Sequence, residues 1–222
     1  MLTIECAGCD DCAFTGEDVP TDFHEIHITV DALEHKTAEF VAACEELGVK
    51  PIVISYNNLE NNTSAMADPM TSHKFRGTEV EALREAKRIS EGLNFAGFYP
   101  IRCKIETTPT NPIVEQGKGY FESHIGIGLP KERIEDLRVA AKSMGAHVSA
   151  NAFKDHGETV TQMVTVRANA RDTTPAKFQY HMLWMQGMLD SMKDFNADKL
   201  IVEYCWYDSN RDHDLAWMGE WR

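Results

Sequence analysis

The stretch HEIHITV at residues 24–30 returns as FESHIGI at residues 121–127. Both contain Glu-x-His-Ile-x-(Val or Ile), and Glu122 lies 97 positions after Glu25 (122 − 25). Side chains alternate between the two faces of a strand, so Glu25 and His27 share one face while Ile26 and Ile28 share the other. Repetition at this domain-sized interval predicts one structural unit that occurs twice.

Other landmarks support the repeat. SYN at 55–57 corresponds to SAN at 149–151, and TSH at 71–73 corresponds to TVR at 165–167, both at an offset of 94 (149 − 55 and 165 − 71). Glu106 corresponds to Glu203 at an offset of 97 (203 − 106). A short deletion and a compensating insertion explain the change, and we expect both in connections, where such differences are tolerated.

Apolar periodicity predicts the same order of elements in both copies. The first copy has strands at 23–30, 51–57, 69–76 and 99–106, with helices at 36–47 and 78–93. The second has strands at 120–129, 146–153, 159–168 and 199–207, with helices at 131–144 and 174–195. The order βαββαβ is that of the ferredoxin-like motif. We therefore predict an α+β fold of two tandem ferredoxin-like lobes related by pseudo-twofold symmetry.

The predicted boundaries divide the chain into five parts. They are a cysteine-rich segment at 1–19, a first lobe at 20–108, a linker at 109–118, a second lobe at 119–208 and a C-terminal tail at 209–222. The turn-rich connection 58–70 is longer than an ordinary hairpin loop and is a candidate lid. In the tail, we expect Trp217 to fill an apolar gap and Asp208 and Asn210 to stabilise a turn.

A ferredoxin-like sheet carries helices on one face, so its other face is open. The residues predicted on the open faces are polar: Glu25, His27, Thr29, Arg102, Lys104 and Glu106 in the first copy, and Glu122, His124, Ser149, Asn151, Thr165 and Arg167 in the second. The simplest packing turns the two faces toward one shared cleft. The alternative is that each face is simply solvated, as charged strand residues often are.

Composition limits the classes of partner. The chain has 222 residues, of which 43% are hydrophobic, and a formal net charge of −13. That charge argues against binding a long nucleic acid, which needs a basic surface, but leaves a small anionic ligand possible. The sequence contains no apolar stretch long enough to cross a bilayer, and its first residues lack the pattern of a signal peptide, so we expect a cytoplasmic protein.

Three of the six cysteines form a separate pattern. Cys6, Cys9 and Cys12 have the spacing C-x2-C-x2-C in an acidic segment. Zinc would need a fourth ligand, for which His24 or a distant cysteine is available. The alternative is an exposed tail with reduced thiols, because half-sites of this kind are often not metal sites.

Several short motifs resemble a bacterial and phage family of uncharacterised proteins. They are FESH at 121–124, SANA at 149–152, VTVR at 164–167, and YDSN at 207–210 followed by Asp214 and Trp217. PMTSHKFRG at 69–77 and IRCKIE at 101–106 also fit that family. The resemblance covers nearly the whole chain after residue 20, and it implies no activity.

A weaker resemblance is to the two-histidine phosphoesterases, which have two α/β lobes with one hydrophobic-His-x-(Thr or Ser)-hydrophobic strand in each. The segment from Ile26 to Val30 matches that motif, whereas Gly126 replaces the hydroxyl residue in the second copy. The resemblance implies that one imidazole removes a proton and the other donates one, with hydroxyls holding the phosphate. Thr165 is a candidate to replace the missing hydroxyl.

Our leading hypothesis is a cleft enzyme that acts on a phosphate-containing small molecule or a short RNA end. His27 and His124 would be the acid–base pair, with the hydroxyls of Thr29 and Thr165 beside them. The predicted ligand-binding set is Arg102, Lys104 and Arg167 for phosphate, Glu25 and Glu122 for orienting the imidazoles, and Ser149, Asn151 and His73.

Two alternatives stay open. The first is a protein that sequesters a nucleotide-like anion in the same cleft without turnover. The second is a metal site formed by Glu25, His27, His73 and Glu106, or by Glu122, His124 and Glu203, since these residues supply oxygen and nitrogen ligands. The sequence predicts no particular cofactor, metal or oligomeric state.

Overall fold

The computed structural model describes residues 4–5, 13–14, 22–31, 36–57, 65–156 and 158–214. At residues 4–5, 13–14, 56–57, 65–67 and 151–156 the description is of the backbone alone. The predicted three-cysteine site and Trp217 lie outside the described residues. No helix in the described part is long and apolar enough to cross a membrane.

The first half of the chain has four strands and two helices. They are β1 (Phe23–Asp31), α1 (Thr37–Leu47), β2 (Lys50–Asn57), β3 (Ala65–Arg76), α2 (Glu79–Phe95) and β4 (Tyr99–Thr107). Helix α2 begins with a capping box, in which the Thr78 hydroxyl accepts from the Glu81 N–H and the Glu81 carboxylate accepts from the Thr78 N–H. Strand β3 begins at Ala65, so the predicted lid at 58–70 is wrong for its second half, which is strand.

The second half repeats this order. It has β5 (Tyr120–Pro130), α3 (Ile134–Ser143), β6 (His147–His156), β7 (Thr159–Asn169), α4 (Pro175–Asp190) and β8 (Asn196–Asp208). The helix predicted to reach residue 195 ends at Asp190. The Asp190 side chain accepts from the backbone N–H of Ala197, and Asp194 adopts a left-handed conformation with φ 67°. A tight turn therefore replaces the last helical turns.

The eight strands form one closed antiparallel sheet in an α+β structure. Their order around the barrel is β8-β4-β1-β3-β2-β6-β7-β5. Each half therefore contributes its strands in the order last, first, third, second, which is the ferredoxin-like order. The halves join through β8 against β4 and β2 against β6. The two sheet faces predicted to be open consequently enclose one common interior.

Strand alternation separates an apolar outside layer from a polar inside layer. Ile26, Ile28 and Val30 of β1 are buried beneath α1 and α2, and Phe121, Ile125 and Ile127 of β5 are buried beneath α3 and α4. Trp206 of β8 packs against both apolar clusters. The alternate residues of the same strands point into the barrel, and these are the residues of the candidate site.

Candidate functional site

Strand register brings the predicted site residues of both halves into the barrel. On the first half, Glu25 lies opposite Glu106 and His27 lies opposite Lys104. On the second half, Glu122 lies opposite Glu203 on one side and Arg167 on the other, and His124 lies opposite Thr165. Directly opposed residues point to the same face of a sheet.

A continuous ionic chain connects the two histidines across the interior. His27 Nε2 is 3.1 Å from Glu106 Oε2, and Glu106 Oε1 is 2.9 Å from Lys104 Nζ. Lys104 Nζ is also 2.9 Å from Glu122 Oε1, which is 3.0 Å from His124 Nε2. Lys104 therefore links a carboxylate of one half to a carboxylate of the other.

The hydrogen bonds of His27 favour its charged form. Its Nδ1 is 3.0 Å from the carbonyl oxygen of Thr71, and its Nε2 faces the Glu106 carboxylate. Both partners are acceptors, so both ring nitrogens carry a proton when Glu106 is ionised. Burial alone would lower the pKa of His27, but the hydrogen bond to Glu106 and the charges of Glu25 and Glu106 outweigh burial and raise it.

The hydrogen bonds of His124 allow a neutral imidazole. Its Nδ1 is 3.0 Å from the Thr165 hydroxyl, which can donate or accept, and its Nε2 faces Glu122. A neutral ring that donates from Nε2 to Glu122 and accepts from Thr165 satisfies both contacts. The His124 side chain is 24% exposed, compared with 11% for His27. The barrel interior is thus open to solvent beside His124.

The buried glutamates differ in protonation. Burial raises the pKa of Glu106, but the positive charge of Lys104 and the hydrogen bond from His27 outweigh burial and lower it to about 2. Burial opposes ionisation of Glu122 as well, yet Arg167 and Lys104 hold its pKa well below the usual range. Burial together with the charges of Glu106 and Glu25 raises the pKa of Glu203 well above that range. Burial and the neighbouring carboxylates therefore favour the neutral form of Glu203.

Two buried arginines lie toward the other end of the barrel. Arg102 Nε and Nη2 contact the two carboxylate oxygens of Asp208 at 3.0 and 2.6 Å. Arg102 Nη1 is 2.7 Å and Arg167 Nη1 is 2.5 Å from Asp214 Oδ2, and Arg167 Nε donates to Glu122. The predicted phosphate-binding cations are therefore already paired with carboxylates of the chain itself.

The remaining predicted residues are placed differently from one another. Thr29 is buried opposite Arg102, and Ser149 is buried opposite Met163 inside the barrel. Asn151 is opposite Ile54, and its side chain lies outside the description.

His73 does not join the site, because its Nε2 is 3.1 Å from Glu85 of α2 on the outside of the barrel. The inward-facing residue opposite His27 is Ser72, which donates to Glu25 at 2.6 Å.

Sequence reasoning missed the roles of three residues as partners of the arginines. Asp208 and Asp214 bind the guanidinium groups, and the Tyr120 hydroxyl donates to Asp208 at 2.7 Å. The predicted turn is present, since Asp208 Oδ1 accepts from the Asn210 N–H at 3.1 Å. The YDSN motif with Asp214 four residues later is the sequence signal for these contacts, although turn formation alone also explains the motif.

The geometry gives limited support to a metal ion among the described residues. One predicted metal-binding group contains Glu25, His27 and Glu106. Lys104 Nζ already contacts Glu106, and also Glu122, at the position where a metal ion would bind this group. Asp68, His213 and Asp214 bring three possible ligand atoms within 4.8 Å of one another. However, the guanidinium groups that contact Asp214 would repel a metal ion. We assign no metal centre to either group.

Comparison with known proteins adds no functional assignment. No protein-family model matches the chain, and no curated protein matches it. Three structures of mutant chlorite dismutase from Candidatus Nitrospira defluvii are similar at 12%, 11% and 10% identity, with TM-scores of 0.27, 0.28 and 0.25. The matches cover 84%, 86% and 84% of this chain and 92%, 95% and 92% of the respective chlorite dismutase chains. Scores this low carry no argument about the function of this chain.

Proposed function

We propose that this protein is an enzyme that uses His27 and His124 for general acid–base catalysis on a small molecule bound inside the barrel. The ionic chain from His27 through Glu106, Lys104 and Glu122 to His124 is the observation that carries the proposal. It places an imidazole whose charged form is favoured, His27, and a more exposed imidazole, His124, at the two ends. In our proposal His27 is the acid and His124 is the base.

Glu203 adds a second proton donor to this arrangement. Its Oε2 is 3.9 Å from His124 Nε2, and its side chain is 9% exposed. In its neutral form, which burial favours, this carboxyl can donate a proton to a substrate or replace one that His124 has lost. His124 and Glu203 are therefore the groups we propose to contact the substrate first, with His27 deeper in the interior.

Interior charge bears on the substrate class. With Glu203 neutral and His27 charged, five carboxylates face four cations: Glu25, Glu106, Glu122, Asp208 and Asp214 against His27, Arg102, Lys104 and Arg167. A free phosphate next to the histidines would meet this negative potential, whereas a neutral or cationic group would not. We therefore propose a neutral or cationic reacting group, and we retain the phosphate-containing substrate as the second candidate because the two arginines converge.

We also propose that the two histidines are equivalent positions of an internal pseudo-twofold repeat. In the first half Glu25 lies opposite Glu106, and in the second half Glu122 lies opposite Glu203. On the other side, Glu25 lies opposite Lys74 and Glu122 lies opposite Arg167, so each has a basic neighbour. This register gives an offset of 93 for the third strands (167 − 74) instead of the predicted 94. A failure of residues 20–108 to superpose on residues 119–208 with His27 over His124 would contradict the repeat.

The function is tested with a substrate panel and matched histidine variants. Neutral, cationic and phosphate-containing small molecules are incubated with the protein, and the products are identified by mass spectrometry. For any compound that is converted, His27→Gln and His124→Gln should each slow turnover by about 10²- to 10⁴-fold. His181→Gln is the control, because His181 is exposed on α4 and should leave the rate unchanged.

The outcomes separate the competing functions. A ligand that is bound and recovered intact would support sequestration without turnover. Conversion that survives in both His27→Gln and His124→Gln would refute the acid–base pair. Preferred conversion of phosphodiesters would favour the second candidate substrate over the neutral or cationic class.

A further inference from the structure

The turn that follows β8 places a carboxylate between two buried arginines. A short 3-10 helix covers Arg211–Asp214, and the Asp214 carboxylate is 4% exposed. One oxygen, Oδ2, accepts from Arg102 Nη1 at 2.7 Å and from Arg167 Nη1 at 2.5 Å. Two guanidinium groups converging on one oxygen atom is the geometry with which proteins bind carboxylates and phosphates.

Both arginines are held in position independently of Asp214. The Nε and Nη2 atoms of Arg102 form a two-pronged contact with Asp208, whose carboxylate also accepts from Tyr120. Arg167 donates to Glu122 and lies over the ring of Tyr120, with the guanidinium carbon 5.3 Å from the ring centroid. Withdrawal of Asp214 would therefore leave both Nη1 groups in the same orientation.

In the described part of the chain, the turn that carries Asp214 contacts β3 and the segment before β5. His213 Nε2 is 3.2 Å from Asp68 Oδ2 of β3, and Arg211 Nη2 donates to the Lys118 carbonyl at 2.8 Å. These contacts lie after the last strand, so release of the turn breaks no ladder hydrogen bond of the barrel. Displacement of the turn would therefore take Asp214 away from the arginine pair.

We propose that Arg102 and Arg167 form a binding site for a small oxyanion, a carboxylate or a phosphate, and that Asp214 competes with that ligand as a tethered occupant. Without Asp214, two buried guanidinium edges would lack their anionic partner, which is unfavourable in a desolvated site. An external oxyanion restores the pairing. This site goes beyond the proposed acid–base function, since it requires neither His27 nor His124.

The test compares anion binding by Asp214→Asn with binding by the wild type. Isothermal titration calorimetry with sodium sulfate and with sodium phosphate, in an otherwise oxyanion-free buffer, gives the affinity directly. We expect Asp214→Asn to bind both probes at least about tenfold more tightly than the wild type, because one charge-assisted competitor is removed. The same anions should raise its thermal midpoint in a concentration-dependent manner.

Three further variants make the result decisive. Asp212→Asn removes the same charge from an exposed position of the same turn and should leave binding at the wild-type level. Asp214→Asn combined with Arg167→Gln should lose the gain. His213→Gln loosens the turn while all groups of the arginine pair remain, and it should also increase anion affinity, which covers the case in which Asp214→Asn does not fold.

Two results would overturn the proposal when Asp214→Asn folds, and a third applies when it does not. One is a folded Asp214→Asn whose affinity for both anions equals that of the wild type. The other is an equal gain in Asp212→Asn, which would show that only the general negative field of the protein had been reduced. If Asp214→Asn is unfolded, an unchanged affinity in His213→Gln overturns it.

Discussion

Replacement of Lys104 by methionine is the sharpest perturbation of the ionic chain. The Lys104 side chain is 10% exposed, and its Nζ is 2.9 Å from Glu106 and 2.9 Å from Glu122, whose side chains are 1% and 2% exposed. Methionine keeps the length of the chain and removes the charge, so two neighbouring buried carboxylates lose their shared partner. Removing one member of a buried ion pair costs about 3–5 kcal/mol.

The expected loss can be checked against its parts. The charge-assisted hydrogen bond from Lys104 to Glu122 is worth about 1.5–3 kcal/mol, and the ion pair with Glu106 adds to it, in line with the value for a broken buried pair. For a chain of this size each kcal/mol lowers the thermal midpoint by about 2–4 °C, so we expect a shift of about 6–20 °C. Urea unfolding followed by circular dichroism measures the free energy, and a thermal melt measures the shift.

The loss in Lys104→Met should depend on pH. The pKa of Glu106 is lowered to about 2 from its ordinary 4.5, so in the wild type its stabilising contribution is present above 4.5 and disappears as the pH falls toward 2. Without Lys104 that contribution is reduced. The difference between variant and wild type should therefore be greatest at neutral pH and shrink in acid.

The control is Lys87→Met on the surface of α2. The Lys87 side chain is 75% exposed, and its Nζ is 3.6 Å from Glu91 one turn away, so the free energy of unfolding should change by about 0.5 kcal/mol or less. A Lys104→Met variant that loses no more than Lys87→Met, or that loses the same amount at every pH, would refute the ionic chain.

Three other predictions concern His27, Glu203 and Gly119. The pKa of His27 is raised in the folded protein. The stabilising contribution of His27 is therefore complete below its ordinary pKa of 6.5 and is lost as the pH rises through its pKa in the folded protein. His27→Gln should consequently flatten the dependence of the unfolding free energy on alkaline pH. Because the pKa of Glu203 is raised, Glu203→Gln should be more stable than the wild type at pH values above 4.5, with no advantage in stronger acid. A Cβ on Gly119 would lie 2.1 Å from the Cys205 carbonyl oxygen, so Gly119→Ala should cost about 1–3 kcal/mol or more.

Each of these measurements has a matched control. His181→Gln should keep the alkaline dependence that His27→Gln removes, since His181 is exposed on α4. Exposed Glu135 should tolerate Glu135→Gln without a stability gain at any pH. Gly128→Ala should be tolerated, because the nearest atom to its Cβ would be 3.8 Å away. A variant and control that behave alike would contradict the corresponding prediction.

The inward-facing residues were predictable from local sequence. Residues alternate in polarity along β1 and β5. Glu25 and His27 share one face of β1, Glu122 and His124 share one face of β5, and isoleucines occupy the opposite face of each strand. Burial of the isoleucines under the helices determines that the Glu and His residues point inward. The same argument applies to Arg102 and Lys104 on β4. The ferredoxin-like order of elements followed from periodicity in the same way.

Other parts of the site depend on contacts that leave no local pattern. Asp214 is 112 residues from Arg102, so neither periodicity nor spacing could predict that they pair. His73, predicted as a ligand, instead contacts Glu85 outside the barrel, because the facing of β3 depends on its register with β1 and a one-residue slip exchanges the faces. Helix α4 was predicted too long because the apolar pattern continues past Asp190, whereas the bond from Asp190 to the Ala197 N–H ends the helix.

Closure of the sheet pairs the edge strands of the two halves with each other. A ferredoxin-like sheet has two edge strands, which in the first half are β4 and β2 and in the second half are β8 and β6. Exposed edges present unpaired backbone groups and invite association with other chains. Here every such edge is covered by an edge of the other half. Expressed alone, either half would leave both of its edge strands without these partners, so the two halves protect each other's edges while the two walls of the charged interior differ in sequence.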